Sequence, residues 1–134
     1  MKRKISTKET ALWNLITSSH VANTMSLDTL SLGPKVAIVT GSGRETGIGA
    51  AIAVALARNG AAVAIHHLSD SSAPRAASVA QKIKDAGGRA TVVQANVNSP
   101  EGAKKIVAST MEAFGVDHID ILGEITQKLN PSSK

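Results

Sequence analysis

At 134 residues, with 43% apolar and 19% charged side chains, the chain has the material for one domain with a buried core and not for two. No run of about 18 apolar residues offers a membrane span. The absence of cysteine removes disulfides, thiolate nucleophiles and thiolate metal sites together. The formal charge of +5 reads as a basic soluble surface: beyond the opening MKRK the basic residues are scattered, and one Trp, one Phe and no Tyr leave little to stack on bases. The expectation is therefore a cytoplasmic chain with neither nucleic acid nor membrane as partner.

Residues 1–33 differ from the rest, being rich in Ser and Thr with the basic residues in front. A transit peptide carries more Arg and fewer acids, and a secretory leader needs a long apolar stretch after its basic start. The segment is expected to be a disordered or loosely helical extension. Met25 heads a shorter stretch running into the first strand and is a candidate for the ancestral start.

Residues 34–122 are organised as alternating strands and helices. KVAIVT (35–40) is a β-branched run closed by glycine, as in a strand buried on both faces. GIGAAIAVALARNG (47–60) predicts a helix whose small residues (Ala50, Ala51, Ala53, Ala55, Ala57) let it lie close to a sheet, with Asn59-Gly60 as its stop. AAVAIHH (61–67) is a second strand. The stretch 69–88 opens on Ser and Asp, places Ala76, Val79, Ala80 and Ile83 at helical spacing, and ends on Gly-Gly. RATVVQAN (89–96) is a third strand. Ser99 then stands as N-cap with Pro100 at the first helical position. Ala103, Ile106, Val107, Thr110, Met111 and Phe114 form the expected buried stripe of that helix, and HIDIL (118–122) is a fourth strand. Such alternation requires crossovers, which predicts an α/β fold with a parallel sheet covered by helices on both faces.

VTGSGRETGIGAA (39–51) sets four glycines between the first strand and the first helix. That is the context in which a glycine turn lets backbone approach a pyrophosphate and offers it a helix N-terminus. At the end of the second strand, an acid would bond a ribose 2′-hydroxyl and repel a 2′-phosphate. Here His66, His67, Leu68 and Ser69 precede the first acid, Asp70, and Arg44 in the loop is suited to a phosphate dianion. Both features favour NADP(H) over NAD(H). The adjacent histidines point to opposite faces of a strand and make a poor metal pair, so no metal site is expected.

These segments resemble the N-terminal half of the short-chain dehydrogenase/reductases, in particular the NADPH-dependent ketoreductases of the fungal and acyl-carrier-protein reductase type. The resemblance rests on KVAIVTG, on TGIG opening the helix, on AGGRATVVQANV and on FGVDHIDIL, about two-thirds of the chain. It implies a partial Rossmann fold of four parallel strands and three helices. It also implies an NADP(H) site in which Gly41, Ser42, Gly43, Arg44, Gly47, Ile48 and Gly49 form the phosphate-contacting loop. His66 and Ser69 fall where related chains approach the 2′-phosphate. Asn96-Val97 stands in place of an Asp-Val pair that holds the adenine.

The family loop reads TGxxxGxG. Starting it at Thr40-Gly41 leaves two extra residues; starting it at Ser42-Gly43 fits the spacing but puts Ser for Thr, and the strand register favours the first. The resemblance ends after Leu122, where residues 123–134 read as a polar tail outside the family pattern. The family transfers hydride between NADPH and a ketone or ketoacyl substrate, using a Ser, a Tyr and a Lys four residues after the Tyr. None of that set is found here, so the expectation is an NADP(H)-binding fragment without its own catalysis. The alternatives are a non-catalytic interaction module, pairing with itself or with a full-length relative through an open sheet edge, and a truncated gene product without activity.

Overall fold

The computed structural model describes residues 31–125. The extension up to residue 30, with the candidate start at Met25, and the tail from residue 126 onward lie outside the described residues.

Strands β1 (Val36–Val39), β2 (Ala62–His67), β3 (Arg89–Gln94) and β4 (Ile121–Gly123) form one parallel sheet in the order β3-β2-β1-β4. The chain builds outward from β1 to β3 on one side and then crosses to the other side of β1 for β4. Every residue of β1 and β2 is buried, as strands covered on both faces must be. The three crossovers are helices α1 (Ile48–Arg58), α2 (Ala73–Asp85) and α3 (Pro100–Phe114). The expected α/β class and alternation are what the structure shows.

Two cores flank the sheet. On one face Ala37, Val39, Val63 and Ile65 meet Ala50, Ala53 and Ala57 of α1 and Ala76, Val79, Ala80 and Ile83 of α2. The side chains of α1 that face the sheet stop at Cβ, so the helix lies low over it, while Ala51 and Ala55 face outward. On the other face a smaller cluster joins Ile38, Ala64, Val93 and Ala95 to Ile106 of α3.

β3 ends at Gln94 and not at Asn96, and three further details differ from expectation. A single 3-10 turn (Asp70–Ser72) precedes α2, because Ser69 and Ser72 cap one another: the Ser72 hydroxyl donates to the Ser69 carbonyl at 2.7 Å and accepts from the Ser69 N–H at 3.3 Å. The stripe of α3 is narrower than its apolar spacing predicts. Gly102, Ile106 and Thr110 face inward, Met111 and Phe114 are half-buried, and Ala103 and Val107 are exposed. The cause is a close approach at the start of the helix, where a Cβ on Gly102 would run into the Asn96 carbonyl, and this turns the 102-106-110 line to the sheet. Ser99 caps the helix as predicted, its Oγ accepting from the Gly102 N–H at 3.0 Å.

The fourth strand begins later than HIDIL and runs on through Gly123. Asp117, His118 and Asp120 are instead engaged in polar contacts at the edge of β1. His118 Nδ1 lies 2.7 Å from Asp117 and its Nε2 3.2 Å from Asp120. Asp120 Oδ2 accepts from the Val36 N–H at 2.8 Å, and Lys35 Nζ stands 3.7 Å from its other oxygen. Beyond the strand, Ile125 packs against the larger core, and its N–H donates to Thr40 Oγ1 at 3.1 Å.

Candidate functional site

In an open parallel sheet, crevices form beyond the carboxyl ends of the strands where the chain order reverses. Here that point lies between β1 and β4, above Thr40 and Gly123. The segment leaving β1 cannot continue straight, and Gly41 turns it with φ +65°, a conformation that costs a side chain dearly. The α1 helix then passes directly beneath: a Cβ on Gly49 would stand 2.6 Å from the Gly41 carbonyl oxygen. Gly43 is equally confined, since a Cβ there would meet that of His67 at 2.9 Å.

The result is a cavity of about 460 Å³ at the carboxyl end of the sheet. Its loop wall is Gly41, Gly43, Arg44, Thr46, Gly47, Ile48 and Gly49; its far wall is His66, His67, Leu68 and Ser72; Ile125 closes the β4 side. The N-cap of α1 is Gly47, which offers no side-chain acceptor, and the first turn carries no acid. The leading N–H groups of α1 are thus left for a ligand, with the positive end of the helix dipole behind them. A second cavity of about 410 Å³ shares Arg44 and Thr46 with the first and adds Glu45, Pro74 and Arg75. Glu45 leans toward Lys82 at 3.9 Å, whereas neither arginine has an ion-pair partner among the described residues.

Of the residues singled out in the sequence, Gly41, Gly43, Arg44, Gly47, Ile48, Gly49 and His66 line the main cavity together. Four others do not line it. Ser42 is fully buried: its Oγ donates to the Val39 carbonyl at 2.7 Å and accepts from the His66 N–H at 3.1 Å. Ser69 stands at the surface with its Oγ 2.9 Å from that of Ser71. Asn96 turns its Oδ1 back to the Asn98 N–H at 3.0 Å, and Val97 is exposed beside it. The sequence names His67 and Leu68 only as non-acidic residues at the end of the second strand, and gives no site role to Thr46, Ser72, Arg75 or Ile125. Leu68 and Ser72 were signalled only by their place just after β2. Ile125 was hidden because the family pattern was read as ending at Leu122.

His66 lies inside the wall, 4% exposed. Its Nδ1 accepts from the Gly41 N–H at 3.1 Å and its Nε2 lies 2.8 Å from the Ala95 carbonyl. His67 points to the opposite face, with Nδ1 3.0 Å from the Ser69 carbonyl and 3.2 Å from Ser72 Oγ. No group of three His, Cys, Asp or Glu among the described residues is placed to hold a metal ion. No helix among them is long and apolar enough to cross a membrane.

A parallel sheet with a glycine loop and an uncapped helix N-terminus at its switch point defines a nucleotide-binding α/β protein. Residues 35–125 match the short chain dehydrogenase family, and the chain belongs to it. It is 44% identical over 95 residues to versicolorin reductase 1 of Aspergillus parasiticus, covering 71% of this chain and 34% of that protein. A dehydrogenase/reductase from Sinorhizobium meliloti superposes with a TM-score of 0.64 at 43% identity, over 71% of this chain and 35% of that one. A blue fluorescent protein from a metagenomic library, solved in complex with NADPH, gives 0.62 at 37% identity over 69% of this chain and 36% of that one. The chain therefore spans about a third of the length of these relatives.

Proposed function

We propose that the cavity above β1 and β2 binds NADP(H), and that residues 34–122 belong to the dinucleotide-binding part of an NADPH-dependent reductase. The observation that carries this is the uncapped first turn of α1 opening into the glycine-lined cavity at the switch point. Gly41, Gly43, Gly47 and Gly49 let backbone approach the pyrophosphate, and Ile48, 73% exposed at the mouth, offers an apolar surface to the nicotinamide side. Ser42 serves the loop from within, holding its turn. Asn96 and Val97 border the adenine side, the Asn96 amide nitrogen remaining as a donor once Oδ1 has closed its own turn.

The 2′-phosphate falls to Arg44, joined by Arg75 across the smaller cavity, with Ser69, Ser72 and His67 behind them. No carboxylate closes β2 to oppose it; Asp70 is drawn aside by the Gln94 amide at 2.8 Å. Bound NADPH supplies a hydride. No tyrosine stands among these residues to protonate a carbonyl, so the chain by itself binds the nucleotide without reducing a ketone. The versicolorin and metagenomic relatives, a reductase and an NADPH complex, support the choice of cofactor and reaction class.

Calorimetric titration of the whole chain with NADPH and with NADH tests the reading. NADPH is expected to bind about tenfold or more tightly, since one charge-assisted arginine-phosphate contact is worth about 1.5–3 kcal/mol. Arg75→Gln is expected to erode that preference while leaving NADH binding unchanged. Failure of both nucleotides to bind at millimolar concentration overturns the proposal. A second reading, an interaction module pairing through β4, draws on one observation: Leu122 is 62% exposed on that edge strand.

A further inference from the structure

Three successive residues of the glycine loop are bonded to one residue of the neighbouring strand. Gly41 donates its N–H to the His66 ring at 3.1 Å, the Ser42 hydroxyl accepts from the His66 N–H at 3.1 Å, and Gly43 donates its N–H to the His66 carbonyl at 3.1 Å. The second and third contacts use backbone atoms that any residue would provide. The first needs a side-chain acceptor of a given reach, buried at the end of β2.

We infer that His66 is a positioning residue that sets the Gly41 turn for nucleotide binding and ties it to the adenine side of the site. This rests on the dinucleotide reading above. A backbone N–H can only donate, so Nδ1 must be the unprotonated nitrogen, and the proton of the neutral ring sits on Nε2. That Nε2–H donates to the Ala95 carbonyl at 2.8 Å, one residue before Asn96. The ring is therefore a bar with an acceptor on the phosphate loop and a donor on the strand end beside the adenine region. Without the acceptor, the Gly41 N–H would lose the bond that fixes it to β2 in this partly buried position, and the loop would be released from the turn that the ring imposes.

Two amides separate the ends of that bar. Asn carries an oxygen near the place of Nδ1, and Gln carries a nitrogen near the place of Nε2. His66→Asn keeps the Gly41 acceptor and gives up Ala95, while His66→Gln keeps Ala95 and gives up Gly41. Each loses one side-chain bond, and both keep the two backbone bonds, so their melting temperatures are expected to be similar. NADPH affinity is expected to stay within about threefold of the parent in His66→Asn and to drop about tenfold or more in His66→Gln. Equal affinities in the two variants, or losses that simply follow melting temperature, overturn the inference. If the parent binds NADPH and His66→Gln matches it, only the role of His66 falls. If the parent binds no nucleotide, the dinucleotide reading falls and this role with it. Nitrogen-15 spectra of the unsubstituted chain give an independent check, since a ring proton on Nδ1 of His66 is incompatible with the Gly41 bond.

Discussion

Gly49 and His66 confine the same turn from opposite sides, one by having no side chain and the other by having a ring of the right reach. A methyl at Gly49 would lie 2.6 Å from the Gly41 oxygen and 3.0 Å from the Ser42 Cα, both backbone, so no rotamer change relieves it. Gly49→Ala is accordingly expected to destabilise the fold by about 1–3 kcal/mol, an overpacking cost, and to lower the melting temperature by at least several degrees. It should also weaken NADPH binding by pushing Gly41 off the His66 ring. Thermal denaturation with and without NADPH measures both, and a variant that melts like the parent would show that α1 does not support the loop. The glycines were legible because their spacing alone announces a turn that backbone must approach. The roles of Ser42 and His66 were not, because a buried hydroxyl or ring bonded to a residue more than twenty positions away leaves no local periodicity. Their hydrogen bonds add what each side chain holds within the fold: Ser42 the Val39 carbonyl and His66 N–H, His66 the Gly41 N–H and Ala95 carbonyl.

At the scale of elements, the short run before β4 shows how a polar cluster ends a strand that sequence alone would extend. The bond from Asp117 and, after it, the charge of Asp120 raise the His118 pKa above its ordinary 6.5. The His118 bond lowers that of Asp117 below 3.8, and the Val36 N–H bond, more than any other group, lowers that of Asp120. The histidine contribution is complete below 6.5 and disappears as pH rises through its raised value. The carboxylate contributions are complete above 3.8 and disappear as pH falls through their lowered values. Stability from this cluster therefore spans the interval between the two limits. His118→Gln is expected to lower the melting temperature within that interval and to converge with the parent at alkaline pH, where the imidazole is neutral in both folded and unfolded chains. A difference that persists unchanged to pH 9 would assign the effect to packing. The strands and helices themselves were legible to within a few residues, because buried parallel strands and small-residue helices each carry a distinct pattern. The inward line of α3 was not, since the contact that sets it, Gly102 against the Asn96 carbonyl, is made by two residues without apolar side chains.

For the whole molecule, the two faces of the sheet are unequally covered. The α1/α2 face buries an extended aliphatic cluster, whereas α3 contributes Ile106 as its one fully buried hydrophobic to the other. The parallel register sets Leu122 beside Ile38, whose side chain belongs to that thinner face, so Leu122 projects on the same side. Val107 of α3 is exposed on that face as well, at 40%. Beyond Leu122, β4 pairs with nothing on its outer side among the described residues, and three residues of parallel ladder hold it to β1. An edge with free N–H and C=O groups and an apolar side chain beside it is a template for another strand. The chain is therefore expected to self-associate as concentration rises. Sedimentation velocity over a hundredfold range of concentration should show the weight-average mass increasing. Leu122→Lys sets a charge on the edge without touching the nucleotide cavity and should hold the chain monomeric with NADPH affinity unchanged. If the parent sediments as a monomer throughout, the edge is not a self-pairing surface, and the interaction reading loses the observation that favours it. If Leu122→Lys abolishes association and nucleotide binding together, then β4 supports the cavity through Gly123 and Ile125 more strongly than three residue pairs imply.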